Sequence, residues 1–114
     1  MSKENLENIT WPKYKDGNLG HQVIKSLIAT EVQSSKEQCT FFRVGIIEYL
    51  TKNHDFSGSG NAYEFECRHD GFYIDCLYPN DSRTPVIVDY DDILSALTIA
   101  EMIIFNRNEA PKTE

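Results

Sequence analysis

Three side chains of the types that bind zinc lie close together in the sequence, namely Cys67, His69 and Cys76. With a fourth ligand they would complete a tetrahedral metal site. Structural zinc sites usually present close cysteine pairs on tight turns, and the spacing here does not follow that pattern. We therefore interpret the cysteines as small buried hydrophobic side chains, and the sequence predicts no metal ion and no cofactor.

A second group of candidate ligands consists of the carboxylates of Asp89, Asp91 and Asp92. Hard cations take carboxylate ligands, so this segment suits a small metal-dependent enzyme. A strand that runs into a helix also needs an N-cap and gains from acidic residues in the first turn, which explains Asp91 and Asp92 without chemistry. The sequence contains no nucleophile elbow, P-loop or dinucleotide fingerprint. We therefore predict that the protein is not an enzyme, with the metal-dependent enzyme as the alternative.

The negative charge of the chain is concentrated in its second half. The formal net charge is -7, and residues 61–114 contain four Lys/Arg against eleven Asp/Glu, whereas residues 1–60 contain seven of each. This balance disfavours nucleic-acid binding, which depends on Lys and Arg, and it favours a protein partner with a basic surface. The odd cysteine count and the lack of a signal-like or membrane-spanning apolar run predict a cytoplasmic protein that does not enter membranes.

The clearest local pattern is a hairpin over residues 63–78, where two runs alternate polar and apolar residues around Asp70-Gly71. This dipeptide is favoured in two-residue type I′ turns. A turn at this point directs one apolar set to the core and places Glu66 directly opposite Asp75 on the outer face. Like charges in direct opposition destabilise a sheet, so a pair of this kind indicates a functional surface.

This outer face is the predicted binding surface. Its acidic residues attract a basic partner, and its aromatic and aliphatic side chains provide the contact area that interface centres prefer. The same charges also suit a solvated sheet face, so the sequence leaves open whether the face binds a partner or only keeps the protein in solution. The predicted partner-binding residues are Glu64, Glu66, Asp70, Tyr73, Asp75, Leu77 and Asp89.

Helices must position this hairpin. Apolar spacing predicts a first helix from an N-cap at Asn18 to about Val32, and a last helix that Asp91 caps and that ends near Phe105. Residues 35–52 also follow helical spacing, and we favour a helix there over a strand, although a glycine in its interior is unfavourable. The predicted inner stripe of this second helix is Cys39, Phe42, Ile46, Ile47 and Leu50.

Together these elements predict one α+β domain over residues 1–114. Residues 86–90 form the third strand, since their apolar run suits the sheet interior, and residues 54–61 form a flexible loop. The predicted architecture is a two-layer sandwich, in which a three-stranded antiparallel sheet carries helices on one face in the order α-α-β-β-β-α. The segments are a loosely ordered arm anchored by aromatic side chains at 1–16, a folded core at 18–106 and a polar tail at 107–114.

In its size, acidity, predicted architecture and charged sheet face, the chain resembles the immunity proteins of bacterial contact-dependent inhibition and related polymorphic toxin systems. The resemblance lies in this profile and carries no motif. It implies a protein that binds a cognate toxin domain, commonly a nuclease with a basic cleft, and neutralises it by covering the cleft. Two other binding roles share the same physics: a phage-type inhibitor that mimics DNA, and an acidic secretion chaperone that holds a segment of its partner.

Overall fold

In the computed structural model, which describes residues 6–78 and 81–109, three α-helices and one antiparallel sheet of four strands make up the fold. A short 3-10 helix precedes them at Leu6–Asn8. The helices are α1 (Leu19–Leu27), which the π-helical turn Ile28–Val32 extends, α2 (Lys36–Lys52) and α3 (Tyr90–Glu109). The strands are β1 (Ser57–Ser59), β2 (Tyr63–Arg68), β3 (Gly71–Cys76) and β4 (Val86–Val88).

The first two helices begin where the sequence predicts. Asn18 accepts a hydrogen bond from the backbone N–H of His21 at 3.0 Å, and Ser35 accepts one from the backbone N–H of Gln38 at 3.1 Å. Each capping side chain thereby satisfies a donor that has no partner inside its helix. Residues 36–52 are helical, so the prediction of a helix for this segment is confirmed and the strand alternative is wrong.

The buried stripe of α2 is narrower than predicted. Cys39, Phe42 and Ile46 are buried, whereas Ile47 and Leu50 are exposed. Because α2 carries apolar side chains around most of its circumference, spacing alone does not show which side faces the core.

A close contact explains the glycine inside α2. The ring of Phe56 lies against Gly45, and a Cβ atom at this position would overlap the ring. Phe56 in turn packs edge-on against Phe41 and Phe42, with ring centroids 5.2 and 6.3 Å away. The cost of glycine in a helix, about 1 kcal/mol, is therefore offset by aromatic packing.

The strands follow the order β1-β2-β3-β4, so the sheet has one strand more than predicted and the element order is α-α-β-β-β-β-α. The additional strand β1 lies within residues 54–61, which the sequence predicts as a loop. Its Ser-Gly-Ser sequence has no apolar alternation, and Gly58 lies opposite Phe65, whose ring leaves little room for a side chain. β4 begins at the predicted residue but ends at Val88, two residues early, because Tyr90 already begins α3. It forms an edge of the sheet, since it pairs with β3 alone.

One face of the sheet forms the core with the helices. Along β2 the side chains alternate strictly between buried and exposed, which confirms the predicted alternation. Phe42 of α2 packs on Phe65 of β2, with ring centroids 4.8 Å apart, and Phe72 of β3 is fully buried behind them. The opposite face of the sheet is open.

The β2–β3 hairpin keeps the predicted faces but has a different turn. His69 and Asp70 form the turn, and Gly71 is the first residue of β3. Gly71 has a φ of +144°, and a Cβ atom there would come within 2.6 Å of the Val88 carbonyl oxygen in β4. Glycine is therefore required at this position by the close approach of β4, and not by the geometry of a type I′ turn. The register differs from the predicted one by two residues, which keeps the strand residues on their predicted faces.

The N-terminal segment, predicted as an arm anchored by aromatic side chains, contributes three buried residues to the core, whereas Pro12, Lys13, Lys15 and Asp16 are exposed. Leu6, Ile9 and Trp11 are each at most 5% exposed. Trp11 also donates a hydrogen bond to Asp92 from its indole Nε1–H at 3.0 Å. These contacts reach far along the chain and leave no local pattern in the sequence. Residues 1–5 of the predicted arm lie outside the described residues.

α3 extends beyond both of its predicted ends. The backbone carbonyl of Asp89 accepts the first helical N–H groups, so Asp89 precedes the helix and Asp91 lies within its first turn. At the other end, residues 107–109 are helical and do not belong to a tail. Polar residues there continue the helix by backbone hydrogen bonding, without an apolar stripe that would mark the extension. Residues 110–114 lie outside the described residues.

Candidate functional site

The outer side of the sheet, called the open face below, is uncovered. Its residues on β2 are all exposed, and Ile87 on the edge strand β4 is 41% exposed. The buried apolar side chains of the helices pack instead on the inner side. The open face consists of Ser57, Ser59, Glu64, Glu66, Arg68, Tyr73, Asp75 and Ile87.

Two carboxylates oppose each other directly on the open face. Glu64 of β2 pairs with Asp75 of β3, whereas Glu66 pairs with Tyr73. The predicted opposition of Glu66 and Asp75 is therefore wrong, because the shift in register moves each residue to a new partner. A like-charge pair is present all the same, and it destabilises the sheet. Among the side chains that the structure describes, no Lys, Arg or His forms an ion pair with either member.

Arg68 lies among these acidic residues and neutralises one of them. Its Nε–H donates to Glu66 Oε1 at 2.7 Å, and its guanidinium carbon lies 3.8 Å from the centroid of the Tyr73 ring. The hydrogen bond with Glu66 raises the pKa of the Arg68 guanidinium. The Tyr73 hydroxyl donates to Asp75 Oδ2 at 3.3 Å. Arg68 is absent from the predicted set, although its spacing of two from Glu66 indicates the same face.

The predicted binding residues separate into a central cluster and two borders. Leu77 follows β3 at one border, where it is 40% exposed. Asp70 in the hairpin turn and Asp89 directly after β4 are exposed at the other border. These three residues therefore surround the centre and do not form it. The residues that the sheet brings together are Glu64, Glu66, Tyr73 and Asp75, with Ile87 directly opposite Tyr73.

A shallow depression of about 410 Å³ lies on the open face beside β1. Its lining on the open face combines carboxylates, hydroxyl groups, the Tyr73 ring and the Arg68 guanidinium. Carboxylates and aromatic rings bind Lys or Arg side chains, and Arg68 makes both contacts in the free protein. The lining residues on the open face are Ser57, Ser59, Glu64, Glu66, Arg68 and Tyr73.

Cys67, His69 and Cys76 do not converge on a metal site. Cys67 is buried in the core and His69 is exposed in the hairpin turn. Among the described residues, no group of three or more His, Cys, Asp or Glu side chains is placed to hold a metal ion. Burial raises the pKa of Cys67, and likewise that of Cys39, to about 11. Both thiols are therefore protonated at neutral pH and suit core packing better than nucleophilic chemistry.

Asp92 is a buried hydrogen-bond acceptor as well as an acidic residue of the first turn of α3. Its carboxylate accepts from Trp11 Nε1–H and pairs with His21 Nε2, both at 3.0 Å. His21 Nδ1 accepts from the backbone N–H of Lys15 at 2.9 Å, which assigns the neutral ring with its hydrogen on Nε2. The carboxylate of Asp92 is thus committed to the core, which corrects its interpretation as a helix-start residue alone.

Glu31 holds the first residues of β2 in place. Its buried carboxylate accepts hydrogen bonds from the backbone N–H groups of Asn61 and Ala62, both at 2.7 Å, and of Tyr63 at 3.0 Å. Gly60 permits this approach, since a Cβ atom there would overlap the carboxylate. A buried charge needs several donors to offset its desolvation, and the backbone supplies them here. Glu31 therefore fixes the strand that presents the outward carboxylates.

A second polar cluster fixes the segment between β3 and β4. Asp81 accepts from Arg83 Nε–H at 2.8 Å and Nη2–H at 2.7 Å, and from the Tyr63 hydroxyl at 2.7 Å. These hydrogen bonds, with Arg83 first, hold the pKa of Asp81 well below its ordinary range. Burial raises the pKa of Tyr63 to about 12. Arg83 also donates to Ser26 Oγ at 3.0 Å, which joins this segment to α1.

Comparisons with known proteins assign no family. No protein-family model, no curated protein and no solved structure matches the chain. In the part of the chain that the structure describes, no helix has both the length and the apolar character needed to cross a membrane. The interpretation of the open face therefore depends on its own geometry.

Proposed function

We propose that this protein is an inhibitor of the immunity type, which binds a basic toxin domain through the open face and blocks it. The observation that carries the proposal is the direct opposition of Glu64 and Asp75 on an uncovered sheet face. A Lys or Arg side chain of the partner, placed between these carboxylates, removes their mutual repulsion. An interaction that destabilises the free protein thereby favours the complex.

Inhibition follows because the open face covers a cleft that otherwise attracts phosphate groups. A nuclease cleft is lined by basic side chains, which attract negative charge. The carboxylates of Glu64, Glu66 and Asp75 supply this charge. Tyr73 and Ile87 lie beside these carboxylates and supply apolar contact area. The charges accelerate association, whereas the apolar contacts slow dissociation.

Arg68 has a defined role in this proposal. In the free protein its guanidinium pairs with Glu66 and stacks on Tyr73, which are the groups that an arginine of the partner would use. Binding then exchanges one guanidinium for another, so the Glu66 carboxylate is paired in both states. This exchange avoids the cost of leaving a charge desolvated and unpaired in the interface.

The composition of the open face favours an inhibitor that binds its partner through a mixed polar and apolar interface over one that closely mimics DNA. A DNA mimic needs carboxylates spaced along a continuous surface that follows the phosphates of a strand. Here an aromatic ring and an aliphatic side chain, Tyr73 and Ile87, adjoin each other across two strands. Mixed polar and apolar contact areas of this kind are typical of protein interfaces.

The test is affinity capture from the native host with the immobilised protein. The wild type is compared with the double variant Glu64→Lys/Asp75→Lys and with a control, Asp16→Lys/Asp91→Lys, which makes the same change in net charge at exposed positions elsewhere. We expect the wild type and the control to retain the same basic protein and the double variant to lose it. Retention by all three forms, or equal loss by both variants, contradicts the proposal, because binding would then not depend on the open face.

A further inference from the structure

The outer side of α2 presents a second surface, which is apolar where the open face is acidic. Phe41, Val44, Ile47 and Leu50 are each 39–50% exposed. A helix at a protein surface normally turns polar residues outward, so this arrangement indicates a face that is covered by another molecule. Because Phe42 of α2 packs on the inner side of the sheet, this surface lies away from the open face.

We infer that the outer side of α2 is the interface of a symmetric dimer, in which α2 of a second copy packs antiparallel against it. Phe41 and Ile47 lie three residues before and three residues after Val44. A two-fold axis at Val44 therefore places Val44 against its own copy and Phe41 against Ile47 of the second copy. This self-complementary spacing is what an isologous interface requires.

The charges of α2 suit pairing with a second copy of this chain. α2 contains three Lys/Arg and two Glu, so it is nearly neutral in a chain of net charge -7. The two-fold axis at Val44 sets Lys52, at the end of one helix, opposite Lys36 of the other helix and one residue from Glu37, on both sides of the axis. Each end of the pair therefore combines charges of both signs and flanks an apolar centre. This surface lacks the net charge that would complement a strongly basic or a strongly acidic partner.

The apolar side chains are already fixed for contact. The ring of Phe41 lies edge-on to Phe42 and Phe56, with centroids 5.4 and 5.2 Å away. A groove of about 650 Å³ beside it is lined by Val44, Gly45 and Phe56 together with the polar side chains of Lys36, Glu37, Thr40 and Glu48, and Ile47 of the second copy inserts there. Side chains that are ordered before binding lose little conformational freedom when the interface forms.

The size of the apolar surface is that of a standard interface. Met102 and Phe105 of α3 are also about half exposed, and they line a cavity with Lys36 at the start of α2. The exposed apolar side chains of the two helices amount to roughly 500 Å² per copy. A standard interface covers about 800 Å² per partner, of which somewhat more than half is apolar.

Sedimentation equilibrium of the full chain, from low to high micromolar concentration, tests this inference. The wild type is expected to associate to a dimer. Val44→Asp and Val44→Lys each place like charges against themselves on the axis, and each should raise the dissociation constant at least about tenfold. An equal mixture of the two variants is expected to form the dimer again. The control Ile87→Lys replaces an aliphatic residue of nearly equal exposure, 41% against 43%, and should leave the dimer unchanged.

Three outcomes overturn the inference. A wild-type protein that stays monomeric throughout the concentration range contradicts the dimer. A dimer that both Val44 variants retain contradicts this interface, and a mixture that does not restore the dimer contradicts the two-fold arrangement. Circular dichroism verifies the fold of each variant, and lysine favours a helix at least as well as valine does.

Discussion

Replacing Glu31 tests how the start of β2 is held. The carboxylate accepts backbone N–H groups at both oxygens, from Asn61 at Oε1 and from Ala62 and Tyr63 at Oε2. Glutamine keeps one carbonyl oxygen and turns an NH₂ group toward a remaining N–H. Since a hydrogen bond to a charged group contributes about 1.5–3 kcal/mol, we expect Glu31→Gln to lower the free energy of unfolding by about 2–3 kcal/mol. Glu31→Ala removes all three bonds and should cost about 4 kcal/mol or more.

Urea unfolding measures these differences directly. Trp11 is the single tryptophan of the chain and is 5% exposed, so its fluorescence reports the loss of the core. The matched control is Asp55→Asn at an exposed position between α2 and β1, which should change the free energy of unfolding by less than about 0.5 kcal/mol. If Glu31→Gln unfolds at the same urea concentration as this control, with an unchanged m-value, the conclusion that the Glu31 carboxylate holds β2 is refuted.

Three further predictions concern buried polar groups and thiols. Asp92→Asn loses one of two buried hydrogen bonds to charged oxygen and should lower the free energy of unfolding by about 1–3 kcal/mol, as measured in the same urea assay. The depressed pKa of Asp81 stabilises the folded state above the ordinary Asp pKa of about 4, and this contribution is lost as the pH falls. The free energy of unfolding of Asp81→Asn should therefore decrease less steeply at acidic pH than that of the wild type. The pKa values of Cys39 and Cys67 are raised to about 11, which favours the folded state below the ordinary thiol pKa. The free energy of unfolding should therefore fall as the pH rises from about 9 towards 11. Both thiols should react with a disulfide reagent only on unfolding.

The sequence predicts the helices well where caps and apolar spacing agree. Asn18 is predicted as the N-cap of the first helix, and the structure confirms it. The second helix is predicted from its spacing alone, and Ser35 caps it. The strand at residues 57–59 escapes prediction because it has no apolar alternation, and it forms only because β2 offers it an edge. The sequence predicts that aromatic side chains anchor the N-terminal segment, but the hydrogen bond from Trp11 to Asp92 escapes prediction, since the two residues lie far apart along the chain.

The sequence predicts the face of the candidate site, whereas the pair that it predicts on this face, Glu66 opposite Asp75, is wrong. Side chains on a strand alternate with a period of two, so the outward direction of Glu64 and Glu66 follows from the sequence alone. The register depends on the role of Gly71, which the sequence assigns to a type I′ turn and which the structure assigns to close contact with β4. A tertiary contact therefore decides that Glu64, and not Glu66, opposes Asp75.

The central claim is that the open face binds a basic protein. Backbone amide NMR of the labelled protein, titrated with the partner captured from the native host, tests it most directly. We predict that the largest shift changes occur at Glu64, Glu66, Tyr73 and Asp75, and that they diminish as salt is added. Shift changes centred on the outer side of α2 around Val44, with the sheet residues unchanged, would contradict the claim.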